Sequence, residues 1–213
     1  MEEMLKKLQD SIYEGDKASA EKLAQEVLAS GIKPLKVLDE GMRPALARVG
    51  HDYENGTLYL PDLIGAGDAA LAVGNVIEGA LSAGEEIPRK GTCAIGTVKG
   101  DIHSIGKNLV SVMMKVNGFE VIDLGIDVST ERFLEVANKV DVIGLSSLLT
   151  LSMKAMEETI KQVLAKYPDL VIIIGGAAAD PVLAEAFGVL YGPDAASAPI
   201  IVEETLKQRR HSS

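Results

Sequence analysis

The chain has 213 residues, of which 47% are hydrophobic but only 4% aromatic, with no Trp; this suits one large or two small domains whose cores are filled by small aliphatic side chains. The formal net charge of −10 argues against nucleic acid as a partner, because phosphate binding needs a basic surface. A single cysteine, Cys93, excludes an internal disulfide, and its place in an apolar run makes it a small core residue.

The amino terminus, Met1-Glu2-Glu3-Met4, is acidic and lacks the apolar core of a signal peptide. No apolar run approaches the ~18 residues that a transmembrane helix needs, so the expectation is a cytoplasmic protein with no membrane partner. Residues 1 to about 86 carry helical patterns. Met4, Leu5, Leu8 and Ile12 form one apolar stripe, broken at Glu14-Gly15-Asp16, where Asp16 is a candidate N-cap. Ala20, Leu23, Ala24, Val27 and Leu28 form a second, closed by Gly31 beyond the helix end. Pro34 opens a third helix, lined by Leu35, Leu38, Met42, Leu46 and Val49, which Pro44 should kink or divide. After the turn at Asn55-Gly56-Thr57 a fourth helix carries Leu60, Leu63, Ile64, Leu71, Ile77 and Leu81. Its glycines, Gly65, Gly67, Gly74 and Gly79, each cost roughly 1 kcal/mol of helix propensity relative to Ala, so close packing or ligand contact is expected there. Four helices with short connections indicate an antiparallel bundle.

Residues 82–91, polar and punctuated by glycine and proline, read as a linker and set the expected division into a helical domain, 1–87, and an α/β domain, 88–213. Beyond it strands and helices alternate. Strands are expected at 92–98, 120–124, 142–145, 170–174 and 189–191, with helices from about 104, at 130–138, at 152–167, after Pro181, and at 195–208; a polar tail follows from Gln208. This alternation indicates a flavodoxin-like, Rossmann-type five-stranded parallel sheet with helices on both faces.

Three strand ends carry chemistry. After the first comes Asp101-Ile102-His103-Ser104-Ile105-Gly106, after the third Ser146-Ser147-Leu148-Leu149-Thr150-Leu151-Ser152, and after the fourth Gly175-Gly176-Ala177. In a flavodoxin-like strand order these are neighbours at the edge where ligands bind. His103 is a candidate metal ligand or proton carrier. Asp101 can hold the ring nitrogen that does not touch the metal, and Gly106 leaves room for a flat ligand. Ser152 could cap a helix, and the glycine pair could form a turn. Neither Gly-x-Gly-x-x-Gly nor Gly-x-x-x-x-Gly-Lys-Ser/Thr occurs, and no further His or Cys stands at zinc-site spacing. His51 and His211 read as surface residues. A lone imidazole points to a metal that arrives already held by another scaffold, such as a macrocycle.

The Asp-x-His-x-x-Gly, Ser-x-Leu and Gly-Gly motifs, with Ser146 following Gly106 by 40 positions and Gly175 following Ser146 by 29, resemble the cobalamin-binding module shared by methionine synthase and the corrinoid proteins of methyltransferase systems. The helical half, including Leu60-Pro61-Asp62-Leu63, is similar to that family's amino-terminal cap domain. The resemblance covers nearly the whole chain. With no catalytic barrel in view, it is to the free-standing corrinoid proteins that serve methanol, methylamine or methoxyaromatic metabolism.

The resemblance implies a cobalamin or related corrinoid bound base-off, with His103 as lower axial ligand to cobalt. Asp101 would orient His103, and Ser152 would bond Asp101. Ser104, Ile105 and Gly106 would flank the cofactor. Ser146, Leu148 and Thr150 would line the slot for the displaced nucleotide tail, with Gly175, Gly176 and Ala177 as the other wall and Tyr191 near its bottom. Pro193 departs from the family's last loop. The implied function is a non-catalytic methyl carrier. A substrate:corrinoid methyltransferase would load the cobalt, and a corrinoid:acceptor methyltransferase would unload it to coenzyme M or tetrahydrofolate. A reductive activating protein is a further implied partner. The cap would move over a hinge at 82–91. Two rival readings are a corrinoid-binding sensor or regulator, which needs an output module, and a flavodoxin-like receiver or flavin carrier. A receiver needs acidic strand ends, whereas the first strand here ends in Thr97-Val98-Lys99.

Overall fold

A computed structural model describes residues 2–81 and 89–212, without the side chains of Glu54, Val116, His211 and Ser212. The chain divides into two compact units, Met1–Pro88 and Arg89–Ser213. The linker expected at 82–91 lies, apart from Arg89, Lys90 and Gly91, outside the described residues.

The first unit is a helical bundle of α1 (Glu2–Tyr13), α2 (Lys17–Ala29), α3 (Pro34–Val37), α4 (Arg43–Glu54) and α5 (Leu60–Gly79). The Asp16 carboxylate caps α2 by accepting from Ser19 N at 3.0 Å, and Gly31 turns the chain out of α2 at φ 88°. Pro44 does divide the third helix. Its ring cannot sit over the carbonyl of Glu40 in regular α geometry, and the chain widens into a π-turn over Leu38–Met42, where Arg43 N bonds back to Leu38 O. Leu8, Ile12, Val27, Val49, Leu63, Val73 and Ile77 fill the core. Only part of the glycine pattern of α5 is a packing matter. Gly65 lies against Gly15, with an added Cβ 3.4 Å from Gly15 Cα, whereas a Cβ on Gly74 or Gly79 meets nothing within 4 Å. One expectation is corrected: α5, 20 residues long, is by length and composition apolar enough to cross a membrane. The test of uninterrupted apolar runs missed it because Asp62 and Asp68 punctuate it. In the bundle its Leu63, Ala66, Ala70, Val73 and Ile77 are buried.

The second unit is built on β1 (Gly91–Val98), β2 (Phe119–Val128), β3 (Val142–Ser146), β4 (Val171–Gly175) and β5 (Leu190–Gly192). All pairings are parallel, in the order β2-β1-β3-β4-β5. The connecting helices are α6 (Ile105–Val116), α7 (Thr130–Val136), α8 (Met153–Lys166), α9 (Pro181–Phe187) and α10 (Ser197–Ser212). Alternate strand residues face opposite ways. Ile143, Leu145, Ile172 and Ile174 meet Phe133, Met156, Ile160 and Val163 from α7 and α8 on one face. Cys93, Ile95, Val171 and Ile173 meet Met114 of α6 and Val202 and Leu206 of α10 on the other. Burial pushes the Cys93 thiol pKa up, which keeps it an inert core residue. The tail expected from Gln208 is instead the last turn of α10, held by Arg209 on Asp169 O and Arg210 on Lys90 O.

Two features of the sheet shape its carboxyl edge. The register lines up Thr97, Ser146, Gly175 and Gly192 side by side across β1, β3, β4 and β5. And β2 runs past the expected 120–124, because it carries extra residues. Ile95 faces Asp123, Gly96 faces Gly125 and Val98 faces Val128, so the ladder slips twice. Such bulges bend a strand end and re-aim its side chains.

Candidate cobalamin site at the carboxyl edge of the sheet

The strand register brings the three sequence motifs to one edge, because Thr97, Ser146 and Gly175 are neighbours in the ladder and each motif starts where its strand stops. The loop after β1 is folded around the Asp101 carboxylate, which is fully buried. Oδ1 accepts from His103 N at 2.9 Å and faces His103 Nδ1 at 2.7 Å. Oδ2 accepts from Ser147 Oγ at 3.0 Å, Leu148 N at 2.7 Å and Leu149 N at 3.2 Å. A buried carboxylate is costly unless donors surround it. Burial here pushes the Asp101 pKa up. The amides of His103 and Leu148, the His103 ring and the Ser147 hydroxyl outweigh that push and hold it well below the usual carboxylate range.

An ionised Asp101 can only accept, so the bond to His103 places the ring proton on Nδ1. In the neutral ring Nε2 then carries the lone pair, the form in which imidazole ligates a metal. The His103 side chain is 48% exposed, so the ring is fixed at one end and open at the other. Its carbonyl is held too: Thr97, buried at the end of β1, donates Oγ1–H to His103 O at 2.7 Å.

One expected contact is corrected. Ser147, not Ser152, bonds Asp101. The amides of Leu148 and Leu149 draw the turn after β3 onto the carboxylate, which brings Ser147 Oγ to it. Ser152 sits further on, at the start of α8, with its hydroxyl buried and without a hydrogen-bond partner. It lies behind Gly100, where an added Cβ would stand 3.4 Å from Ser152 Oγ. As an N-cap Ser152 makes no side-chain bond either.

The remaining candidates are spread along the same edge. Ser104 precedes α6 and Ile105 and Gly106 open it, with Ile105 exposed. A Cβ on Gly106 meets nothing within 4 Å, so the space beside His103 is open. Ser146 is half-buried, and Leu148 and Thr150 are exposed. The glycine pair has a tighter reason than a ligand floor. Gly176 has φ 95° and an added Cβ would fall 2.3 Å from Ser147 O, while one on Gly175 would fall 3.0 Å from Gly192 O. Ala177 is exposed just beyond. Tyr191, on β5 opposite Ile174, packs partly against the core under α8 and α9. Asp194 accepts from Ala196 N and Ser197 N at 2.8 Å and so caps α10.

Sequence reasoning missed three side chains here. Thr97 was marked only by being polar inside an apolar strand. Ser147 was masked by the serines around it. Lys107, buried at the start of α6, spans to Asp123 Oδ1 at 2.6 Å and carried no local signal.

The donor set fits a corrinoid. Among the described residues no group of three or more His, Cys, Asp or Glu could hold a metal ion, so a metal at His103 must bring its other donors with it. Exposed apolar side chains, among them Ile102 at 70%, Ile105, Ile126, Leu148 and Leu151 at 92%, stand on the loops and adjoining element ends of this edge, which suits the face of a large flat ring.

Comparison with known proteins agrees. A family model described as a B12 binding domain matches residues 91–201, and a second of the same description matches 4–81. Trimethylamine corrinoid protein 2 of Methanosarcina acetivorans is 34% identical over 97% of this chain and 98% of its own. Dimethylamine corrinoid protein 2 of the same organism is 35% identical over 96% and 97%. Among solved structures, the methanol:cobalamin methyltransferase complex MtaBC from Methanosarcina barkeri aligns with a TM-score of 0.83 at 27% identity, covering 96% of this chain and 80% of that one. The chain belongs to the corrinoid proteins of methyltransferase systems, built on B12 binding domains.

Proposed function

We propose that the chain is a methyl carrier that holds a corrinoid with His103 Nε2 as lower axial ligand to cobalt, the cofactor's own base being displaced. The observation that carries this reading is the division of labour on one imidazole: Nδ1 is tied to a buried, ionised carboxylate, and the other end of the ring is open at an apolar edge. The bound corrinoid supplies a cobalt centre that takes up a methyl group and gives it away. Asp101 orients the ring and keeps the proton on Nδ1. Ser147 and the Leu148 and Leu149 amides hold Asp101. Gly106 leaves room for the macrocycle, and Ser104 and Ile105 flank it. Ser146, Leu148 and Thr150 line one wall of the nucleotide slot, with Gly175, Gly176 and Ala177 opposite and Tyr191 below.

In this reading residues 88–213 are the cofactor-binding domain and 1–87 the helical domain that goes with it. One partner is the methyltransferase that loads the cobalt. Another passes the methyl group to coenzyme M or tetrahydrofolate, and a reductive activating protein restores the carrier. The names of the relatives, trimethylamine and dimethylamine corrinoid proteins, support methylamines as the donor class, and a place in the cytoplasm follows from such partners. The test is reconstitution of the full chain with hydroxocobalamin followed by gel filtration. The reading expects one corrinoid retained per chain and a loaded protein that accepts methyl groups from a methylamine-specific methyltransferase. A chain that retains no corrinoid contradicts it.

A further inference from the structure

The second bulge of β2 ends in a residue with an unusual backbone. Asp127 has φ 50° and is the one non-glycine residue with positive φ among those described. Asp tolerates this left-handed region better than most side chains, though glycine tolerates it better still. A turn alone would therefore be served as well or better by glycine. What glycine lacks is the carboxylate, and that group is fully used. Oδ1 accepts from Gly100 N at 2.8 Å, and Oδ2 pairs with Lys99 Nζ at 3.0 Å. The backbone of the same residue adds a third link, Asp127 N donating to Asp101 O at 2.9 Å. All three links fall on residues 99–101, the segment that delivers Asp101 to His103.

We propose that Asp127 is a positioning residue for His103: from the β2 side it fixes the backbone on which Asp101 stands, so that the Asp101 carboxylate meets Nδ1 at the angle that leaves Nε2 aimed outward. Asp101 is then held between two clamps, one from each strand flanking β1. On the β3 side Ser147 and the Leu148 and Leu149 amides grip its carboxylate. On the β2 side Asp127 grips its backbone. The slipped ladder explains how β2 reaches so far. Its extra residues carry the strand end over the β1–α6 loop, as bulges beside functional sites commonly do. Asp127 acts through Gly100 and Asp101 rather than on the ring itself.

The proposal rests on His103 being the ligand, and its test separates the two. Asp127→Gly removes the carboxylate while easing the backbone, and Asp127→Asn keeps an acceptor for Gly100 N–H without the charge. In the full chain without cofactor, nitrogen-15 NMR reads the His103 ring, and amide exchange reads Gly100. Asp127→Gly is expected to raise Gly100 exchange about tenfold, the effect of one lost hydrogen bond, and to move the His103 Nδ1–H signal toward that of a free imidazole. Asp127→Asn should restore both most of the way. In the loaded protein the fraction of cobalt with an axial protein nitrogen should fall in Asp127→Gly and recover in Asp127→Asn. Ring signals unchanged in Asp127→Gly, or an Asn variant no better than Gly, overturn the positioning role whatever the cobalt does. Loaded wild type without an axial nitrogen overturns the ligand reading instead, and the cofactor-free ring signals still decide for or against Asp127.

Discussion

The loops after β1 and after β4 lie at the same edge of one sheet and are shaped by opposite means. The first is fixed by what its side chains donate and accept: Thr97 holds the His103 carbonyl, Asp101 the ring, and Asp127 the Gly100 amide. The second is fixed by what its residues lack. Gly176 has no Cβ because Ser147 O stands where one would go. Ser147 is where the two loops meet, since its hydroxyl serves Asp101 while its carbonyl accepts from Ala178 N at 3.2 Å. A chemical group that must be aimed is held by hydrogen bonds, which have direction. A wall that must stand close is made by removing atoms.

Substitutions can break this contrast, and the largest effect belongs to the polar loop. Asp101→Ala leaves the amides of His103 and Leu148 without their acceptor in a part-buried turn, and should cost about 3–5 kcal/mol of folding stability, read by urea unfolding of the cofactor-free chain. The pH dependence has a definite sign. The Asp101 pKa is lowered in the folded state, so its contribution is complete above the unfolded value near 4 and is lost as pH falls below that through the folded value. Asp101→Asn should therefore show a flatter acid limb than wild type. A smaller cost, about 2–3 kcal/mol, is expected of Gly176→Ala, because backbone strain at φ 95° adds to a contact with a backbone oxygen. Should Gly176→Ala prove neutral, the wall is not set by close packing.

The pair Ser147→Ala and Ser152→Ala comes next. The first removes a hydrogen bond to an ionised carboxylate and should cost about 1.5 kcal/mol. The second removes a hydroxyl with no partner and should lie within about 0.5 kcal/mol of wild type. The reverse order in unfolding experiments would restore Ser152 as the residue that supports Asp101. An effect of opposite sign on folding is expected of Gly106→Ala. It lies at the start of α6 with open space around it, so alanine should stabilise the cofactor-free chain by up to about 0.5–1 kcal/mol, while weakening corrinoid retention in equilibrium dialysis.

The strand order and both helical layers were legible because β4, Val171–Gly175, is β-branched and buried on both faces and because the helices carry clear stripes. His103 and Asp101 were legible for a local reason: they are two residues apart on one loop, so sequence spacing alone brings them together. Ser147 was not. It reaches Asp101 across 46 positions of chain, and choosing it over Ser152 depends on where the Leu148 and Leu149 amides point. Asp127 was hidden in the same way, since neither bulge of β2 has a sequence signature beyond Gly125. The extended α10 escaped because its polar end is held by carbonyl contacts of Arg209 and Arg210 rather than by an apolar stripe.

The central claim, that His103 ligates cobalt, is tested most directly by paramagnetic resonance of the loaded chain in its Co(II) form. Wild type should show the splitting of a single axial nitrogen from the protein. His103→Ala should lose that splitting while keeping the corrinoid, if, as proposed, most of the contact is made by the macrocycle and the nucleotide tail. A wild-type spectrum without axial nitrogen, or a splitting that survives in His103→Ala, contradicts the account.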